Sequence, residues 1–370
     1  MQEIIIHSIF TGICGFLFLY FLLAPKKQWI HYSFMSIFFL SLGLGFSEHI
    51  LASEEFQFDL VHIDLLFLPP IALFYYAMFI TRRYSTLPNY HYALVLLVII
   101  ELTFNISTWL PGLISEVMIG LLSEVFNFSS IVLSIVLLVI VVKKIKRHHE
   151  EIKNYFSSIE DINLNWLKII ALIFILFNVM WLVDDSFIYI FSDNLVSPII
   201  AEISIIFSYF IVVWVGYHAL NQLGSTTSMV LYGNNDPPKS EDELPLRVVR
   251  NLTEGEELLF AQLIQKVKSD ELYKKTNLSL KDISEFLDVS DKIVSKIINV
   301  KTSDNFYNFI NHYRIEHFKE RIKAGDSRHM TFEALALESG FKSKSTFYGV
   351  FKRMEDKTPK EFIHSISKND

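Results

Sequence analysis

The stretch from Thr331 to Pro359, TFEALALESGFKSKSTFYGVFKRMEDKTP, decides the fold of the last third of this chain. Apolar side chains at its start recur at helical spacing and predict a short helix: Phe332, Leu335 and Ala336. Gly340 then supplies the positive φ that a tight turn needs, and Phe341 plugs the corner. Ser343 is a suitable N-cap for a second helix over residues 344–353. The stretch therefore predicts two short helices joined by a glycine turn.

The second predicted helix has one apolar face and one polar, basic face. Phe347 and Phe351 lie four residues apart and are expected to face inward. A polar set of side chains is left on the outer face: Lys344, Ser345, Tyr348 and Lys352. A helix with such a face fits the major groove of DNA. An ordinary helical hairpin is the alternative that a generic pattern of this kind leaves open.

The specific residues of this stretch resemble the second helix-turn-helix of AraC-type transcription regulators. The pattern is A-x-x-x-G-F-x-S-x-S-x-F-x-x-x-F-K-R with T-P shortly after it, and these residues carry it: Ala336, Gly340, Phe341, Ser343, Ser345, Phe347, Phe351, Lys352, Arg353, Thr358 and Pro359. The resemblance extends upstream through 278–322, where that family has its first helix-turn-helix and a rigid connecting helix. It implies sequence-specific binding to double-stranded DNA.

Three positions depart from the pattern of that family. Gly349 stands where an arginine is usual, Asp356 where a turn glycine is usual, and Ile363 where a basic residue is frequent. The departures leave the predicted fold unchanged, but they alter positions from which the resemblance would imply phosphate contacts.

The first helix-turn-helix is predicted from capping residues and apolar spacing. Ser279 caps a helix over 280–287, and Asp288 occupies the turn because aspartate tolerates the left-handed conformation better than most residues. Ser290 caps the expected recognition helix over 291–300. Its outer face is predicted to consist of Asp291, Lys292, Ser295 and Lys296.

Two further helices complete the predicted DNA-binding domain. Thr253 and Glu256 form a capping box at the start of a helix that ends near Ser269. An amphipathic helix over 305–324 connects the two helix-turn-helix units. The candidate DNA-binding residues of the whole domain are Asp291, Lys292, Ser295, Lys296, Ser343, Lys344, Ser345, Thr346, Tyr348, Lys352 and Arg353.

The composition joins two unlike halves in one chain of 370 residues with a formal net charge of -7 and 51% hydrophobic residues. The single cysteine, Cys14, excludes a disulfide framework and a cysteine zinc motif. No secretory cleavage pattern, phosphate-cradling glycine loop, H-E-x-x-H or G-x-S-x-G occurs in the sequence. We therefore expect a protein that is not an enzyme and that uses no cofactor and no metal.

Apolar runs of membrane-spanning length recur before residue 222. Seven spans are predicted: Ile4–Ala24, Ile30–Leu51, Leu60–Ile80, Tyr92–Pro111, Leu121–Val142, Trp166–Phe191 and Ile199–Asn221. Buried core helices of a soluble protein are the alternative, but so many long apolar runs are not typical of a soluble domain. Membrane lipid is therefore an expected partner.

The basic residues of the connecting loops predict the orientation of the spans. Lysine and arginine occur only in alternate loops: Lys26, Lys27, Arg82, Arg83, Lys143, Lys144, Lys146 and Arg147. Under the positive-inside rule, the N-terminus lies outside and the C-terminal domain lies in the cytoplasm. The predicted location is the inner, cytoplasmic membrane of a bacterium, with several passes.

Ionisable residues in the predicted spans suggest an outward-facing polar pocket, because such residues cost several kcal/mol when they face lipid. The candidates for binding a ligand are Glu48, His49, His62, Asp64, Glu101, Asp184, Asp185 and Glu202. The alternative is that most of them are interfacial residues near span ends. The ligand is predicted to be extracytoplasmic or membrane-soluble.

The domain organisation follows from these patterns. We predict a seven-helix membrane domain over 1–222, a flexible linker over 223–250 and an AraC-type DNA-binding domain over 251–370. The charged loop 143–165 is interpreted as a solvated face near anionic headgroups. The predicted fold class is all-α.

These expectations define a membrane-bound one-component transcription regulator with a sensory or anchoring domain in the membrane. Homodimerisation is left open. The alternative from a different class is a receptor or transporter-like membrane protein whose helical tail binds a protein partner.

Overall fold

The structure is a computed structural model that describes residues 2–23, 29–51, 65–81, 91–108, 115–191, 197–231 and 252–366. Within these ranges all regular secondary structure is helical, apart from an isolated antiparallel β-bridge between Phe156 and Ser279. The all-α prediction is confirmed for this part of the chain. The chain divides into two compact units, one made of 1–147 with 164–224 and the other of 148–163 with 225–370.

Seven apolar helices follow the order of the seven predicted spans. They are α1 (Gln2–Leu22), α2 (Trp29–Leu51), α3 (Leu68–Thr81), α4 (His91–Thr108), α5 (Glu116–Ile152), α6 (Asn165–Phe191) and α7 (Ser197–Leu231). Four segments among the described residues are long and apolar enough to cross a membrane: Ile4–Leu22, Val117–Ile152, Asn165–Val183 and Glu202–Asn221. The described apolar parts of α2, α3 and α4 are shorter.

Aromatic and aliphatic side chains form the core of the first unit. The rings of Phe21 on α1 and Phe39 on α2 stack with their centroids 5.8 Å apart. Large apolar side chains also cover the outside of these helices, such as Phe16, Leu121 and Ile206, which are 61–66% exposed. A soluble helical bundle usually has polar residues at such positions.

The described part of the second unit contains seven more α-helices. They are α8 (Glu254–Ser269), α9 (Leu280–Leu287), α10 (Asp291–Thr302), α11 (Phe306–Lys323), α12 (Phe332–Glu338), α13 (Lys344–Glu355) and α14 (Pro359–Ile366). The predicted capping box of α8 is present, because Thr253 and Glu256 each accept a hydrogen bond from the backbone N–H of the other.

The connection between α7 and α8 overlaps the predicted linker over 223–250. The backbone of α7 stays helical to Leu231, so the first residues of that stretch continue a helix. Residues 232–251, which contain the proline- and glycine-rich part, lie outside the described residues.

The loop between α5 and α6 differs from its interpretation as a solvated face. Residues 148–163 belong to the second unit, and Ile152, Ile159 and Ile162 are 5–7% exposed in the same apolar cluster as Phe318. The interpretation rested on the charges of this loop and overlooked three isoleucines, which are buried by residues far away in sequence.

Candidate nucleic-acid interface

The turn between α12 and α13 has the geometry that its glycine predicts. Gly340 has a φ of +96°, and a Cβ atom at this position would lie 2.3 Å from the carbonyl oxygen of Tyr273. Phe341 is 2% exposed, and its ring lies 5.3 Å from that of Phe347. Because both the backbone angle and the space exclude a side chain, only glycine fits this corner.

The predicted faces of α13 are confirmed. Phe347 and Phe351 are fully buried, and the ring of Phe318 on α11 lies 4.6 Å from that of Phe347. The candidate DNA-binding residues on the other face are half-buried at Tyr348 and exposed at Lys344, Ser345, Lys352 and Arg353. One side of α13 therefore anchors the helix, while the other presents polar and basic groups.

Ser343 and Thr346 cap the N-terminus of α13. The Oγ of Ser343 accepts a hydrogen bond from the backbone N–H of Thr346 at 3.2 Å and donates one to the hydroxyl of Thr346 at 3.1 Å. These two candidate DNA-binding residues thus fix the helix end in the structure. A capped helix N-terminus also favours anions such as phosphate.

Lys344 forms an ion pair that the sequence did not reveal. Its Nζ lies 2.5 Å from Oε1 of Glu333 on α12, and the hydroxyl of Tyr348 lies 3.5 Å from the same oxygen. The hydrogen bond raises the pKa of Lys344 and lowers the pKa of Glu333. Lys344 is therefore charged and held in place, but the neighbouring carboxylate of Glu333 partly neutralises its charge.

The first helix-turn-helix has the predicted turn with a different capping arrangement. Asp288 adopts the left-handed conformation with a φ of 52°. Ser290 is the N-cap of α10, but its side chain makes no capping hydrogen bond, so that part of the prediction is wrong. Instead the carboxylate of Asp291 accepts a hydrogen bond from the hydroxyl of Ser284 on α9. Asp291 thereby joins the two helices of this unit.

The basic residues of α10 differ in their partners. Lys296 lies 2.5 Å from the carboxylate of Glu256 on α8, and this hydrogen bond is the main cause that lowers the pKa of Glu256. Lys292 is exposed and has no described carboxylate within ion-pair distance. Ser295 is half-buried, and its hydroxyl accepts a hydrogen bond from the amide of Asn299 at 3.3 Å. Of the two lysines, Lys292 is therefore the more exposed.

The predicted connecting helix is confirmed as α11, between the N-cap Asn305 and the C-cap Ala324. Arg353 on α13 donates a hydrogen bond to Asn308 on α11 at 2.8 Å, so this candidate DNA-binding residue is also positioned by a neighbouring helix. Arg314, near the middle of α11, is only 1% exposed. The sequence analysis missed this residue, although an arginine on the apolar side of an amphipathic helix is a signal that could have identified it.

Among the candidate ligand-binding residues of the first unit, the structure describes the side chains of Glu101 and Glu202. Glu101 is buried, and its carboxylate accepts hydrogen bonds from the backbone N–H of Phe67, just before α3, at 3.2 and 3.4 Å. This contact gives Glu101 a structural role at the start of α3. Glu202 is exposed on α7.

The side chains of the other candidates of that pocket lie outside the described part of the chain. The backbones of four lie in α2 and α6, with side chains outside the described part: Glu48, His49, Asp184 and Asp185. His62 and Asp64 lie outside it altogether. The part of the first unit that is described contains no cluster suited to a metal ion.

Comparison with known proteins agrees with the geometry of the second unit. Residues 283–365 match a family described as Helix-turn-helix domain. The C-terminal part of the chain therefore carries an AraC-type helix-turn-helix domain.

Relatives with a similar segment occur in Staphylococcus aureus. An uncharacterized HTH-type transcriptional regulator of strain COL is 34% identical over 92 residues, which are 25% of this chain and 12% of that protein. A second regulator of the same description, from strain MSSA476, shows the same identity and coverage. The match thus spans a small part of the relatives' length. No solved structure matches this chain.

Proposed function

We propose that this protein is a membrane-bound one-component transcription regulator. The helices before residue 222 anchor the protein in the membrane or sense a signal, and the second unit binds specific DNA sequences. The observation that carries the proposal is the pair of helix-turn-helix units, α9–α10 and α12–α13, joined by α11. Each unit presents a second helix whose apolar face is buried and whose polar face is accessible. Two such helices, held apart by one connecting helix, fit two successive major grooves of DNA.

The accessible side chains suggest how the DNA contacts are divided. Lys292 and Ser295 on α10, and Lys344, Ser345 and Tyr348 on α13, lie in the first half of each helix, where recognition helices contact base edges. Lys352 and Arg353 lie in the last turn of α13 and suit phosphate contacts. The capped N-terminus of α13 offers a further position for a phosphate.

Three features support the membrane part of the proposal. Four described segments have the length and hydropathy of a span, and large apolar side chains are exposed on the same helices. The basic loop residues occur on alternate connections, which favours an N-terminus outside and a second unit in the cytoplasm. That side of the membrane is where a bacterial chromosome is accessible.

The test of this function uses the full chain in lipid nanodiscs and a library of random duplex DNA. We expect selection of a common sequence and protection of two segments about 10 base pairs apart on one face of the duplex. Protection of one segment, or no enrichment at low salt, would contradict the two-reader arrangement. Capture of a protein without any DNA selection would instead support a tail that binds a protein partner.

A further inference from the structure

Residues 148–163, here called the inter-span segment, form part of the DNA-binding unit although they lie between the fifth and sixth predicted spans. Their main chain pairs with the start of the first helix-turn-helix. Ser157 donates its backbone N–H to the carbonyl of Leu278 at 3.0 Å, and Leu280 donates its own to the carbonyl of Tyr155 at 2.8 Å. A carbonyl of the inter-span segment thus accepts a hydrogen bond from an N–H group in the first turn of α9. N–H groups at this position have no partner within the helix.

The same segment also contacts the start of α11. Tyr307 donates its backbone N–H to the carbonyl of Lys153 at 2.9 Å. Ile152, Ile159 and Ile162 lie in the apolar cluster that includes Phe318 on α11 and core residues of the second helix-turn-helix. The inter-span segment therefore contacts α9, α11 and the core beneath α13.

Arg314 is the centre of this contact. Its Nη1 donates to the carbonyl of Ser157 at 2.9 Å, and its Nη2 donates to the hydroxyl of Ser157 at 3.0 Å. On the other side it donates to the carbonyls of Tyr273 at 2.7 Å and Lys275 at 3.0 Å. The guanidinium thereby joins the inter-span segment to the loop before α9, and a planar group with five donors suits this role better than a lysine.

Arg314 stays charged in this buried position. Burial lowers its pKa to about 10, while the nearby carboxylate of Glu160 acts in the opposite direction. Both oxygens of Glu160 are buried without a hydrogen-bond partner in the described part of the chain. If the inter-span segment left, Arg314 would lose hydrogen-bond acceptors and the carboxylate of Glu160 together. A buried arginine without them is strongly unfavourable, so the contact is expected to persist.

A surface ion pair adds little to this attachment. Asp161 pairs with Lys342 in the turn before α13, but the Asp161 side chain is 58% exposed. Pairs in such positions contribute only weakly to stability. The buried isoleucines and Arg314 are therefore the main attachment.

We propose that the inter-span segment is a permanent internal docking partner of the DNA-binding unit, anchored on Arg314, through which the N-terminal helices act on the DNA readers. The segment includes the last residues of α5 and ends just before α6. A displacement of either helix would thus reach α9 and α11 without passing through residues 232–251. The regulatory part of this inference rests on the proposed function, whereas the docking itself does not.

The test separates docking from covalent connection. A protease site is inserted into residues 233–245 of the full chain, which carries an affinity tag at its N-terminus and is held in detergent micelles. After complete cleavage and washing, we expect the C-terminal fragment to stay with the tagged N-terminal fragment. Its release from the otherwise unchanged chain would overturn the proposal.

The test variants have substitutions only in the inter-span segment. Because residues 251–370 keep their sequence, the substitutions cannot disrupt contacts made within that fragment alone. Ile159→Asp places a charge in the apolar cluster, and Ser157→Pro removes the N–H that Leu278 accepts. Each should lower retention by about tenfold or more, a difference of about 1.4 kcal/mol. Tyr155→Asp is the matched control, because this side chain is 45% exposed and its carbonyl is unchanged. Equal retention in Ile159→Asp and Tyr155→Asp would refute docking through the isoleucines.

The retention assay needs no DNA and no particular membrane topology. A chain that retains the fragment but selects no DNA would refute the proposed function while docking stands. A chain that selects DNA but releases the fragment would refute docking alone.

Regulation is tested with the uncleaved chain in nanodiscs. If the N-terminal helices act through the inter-span segment, Ile159→Asp should change the affinity for the selected DNA, and Tyr155→Asp should not. Unchanged affinity in Ile159→Asp, despite lost retention after cleavage, would refute the regulatory part.

Discussion

Lys344 and Glu333 form an ion pair, with Nζ and Oε1 2.5 Å apart, that joins α13, the second helix of the second helix-turn-helix, to α12 before it. The pair makes Glu333 a negative charge beside a predicted DNA contact. A phosphate or a base edge must therefore compete with this carboxylate for Lys344. Removing the negative charge of Glu333 should therefore strengthen DNA binding.

Glu333→Gln should strengthen DNA binding by about two- to fivefold, because an exposed ion pair of this kind is worth at most about 1 kcal/mol. Lys344→Ala should weaken binding and, if the lysine contacts phosphate, reduce the salt slope by about one unit. Fluorescence anisotropy with the selected DNA at several salt concentrations measures both. In the Lys344→Ala background the gain from Glu333→Gln should shrink, and a full gain there would show that Glu333 does not act through Lys344.

Lys292→Ala should weaken specific DNA binding more than Lys296→Ala. Lys292 has no described carboxylate partner, whereas Lys296 is bound to Glu256 on α8. Loss of a base contact from Lys292 would cost about 1–3 kcal/mol and relax discrimination at one position of the site. Binding to the selected sequence and to its single-base variants tests this order. A larger loss from Lys296→Ala would place the groove-facing surface of α10 nearer to α8.

Gly349→Arg should raise both helix stability and non-specific DNA affinity. A Cβ atom at this exposed position meets no atom within 4 Å, and glycine inside a helix costs about 0.8–1 kcal/mol relative to good helix formers. The added charge should steepen the salt slope by about one unit if it reaches a phosphate. Gly349→Gln is the neutral control, which should share the stability gain and lack the change in salt slope.

Gly340→Ala should destabilise the second helix-turn-helix by about 3 kcal/mol or more, because it combines a positive φ with a clash against the carbonyl of Tyr273. Chemical unfolding of the full chain, followed by a probe in the second unit, measures the loss. Gly349→Ala is the control and should be neutral or stabilising. Equal stability of the two alanine variants would mean that the corner relaxes without cost.

The stability of the second unit should fall as the pH decreases below about 7. Burial, followed by the charges of Lys274 and Arg321, lowers the pKa of His317, whose ring lies 2.9 Å from the hydroxyl of Ser339. The unfolded chain, with an ordinary histidine pKa of about 6.5, therefore binds the proton first as the pH falls. The contribution is complete above that pH and is lost as the pH falls through the lower pKa of the folded state.

His317→Asn should flatten this part of the curve of melting temperature against pH. His312→Asn, at an exposed position on the same helix, is the control and should leave the slope unchanged. An equal slope in wild type and His317→Asn would remove His317 as the cause.

The predicted orientation can be checked with reporter fusions. A reporter after Asn194 should behave as extracytoplasmic and one after Ser225 as cytoplasmic, because the basic residues of the loops favour the cytoplasmic side. The reverse pattern would contradict both the orientation and the outward-facing pocket. A cytoplasmic signal at both positions would contradict the sixth and seventh spans as a pair.

Local features of the second unit could be predicted from the sequence. The inward positions of Phe347 and Phe351, the capping box of α8 and the left-handed turn at Asp288 depend on residues within a few positions of one another. Helical spacing and backbone sterics determine them before any tertiary contact forms. The apolar helices of the first unit were likewise evident, because their length and composition are properties of the sequence itself.

Partners across the fold could not be predicted in this way. Lys296 and Glu256 are 40 positions apart, and Arg314 and Ser157 are 157 positions apart. Spacing along the chain contains no information about such pairs, since tertiary contacts alone bring them together. The charges of residues 148–163 indicated a solvated loop, but the burial of three isoleucines and the hydrogen bonds of Arg314 outweighed the cost of ordering it. The sequence by itself thus determined the helices and their faces, while the tertiary structure decided which charged side chains form ion pairs and which distant segments pack together.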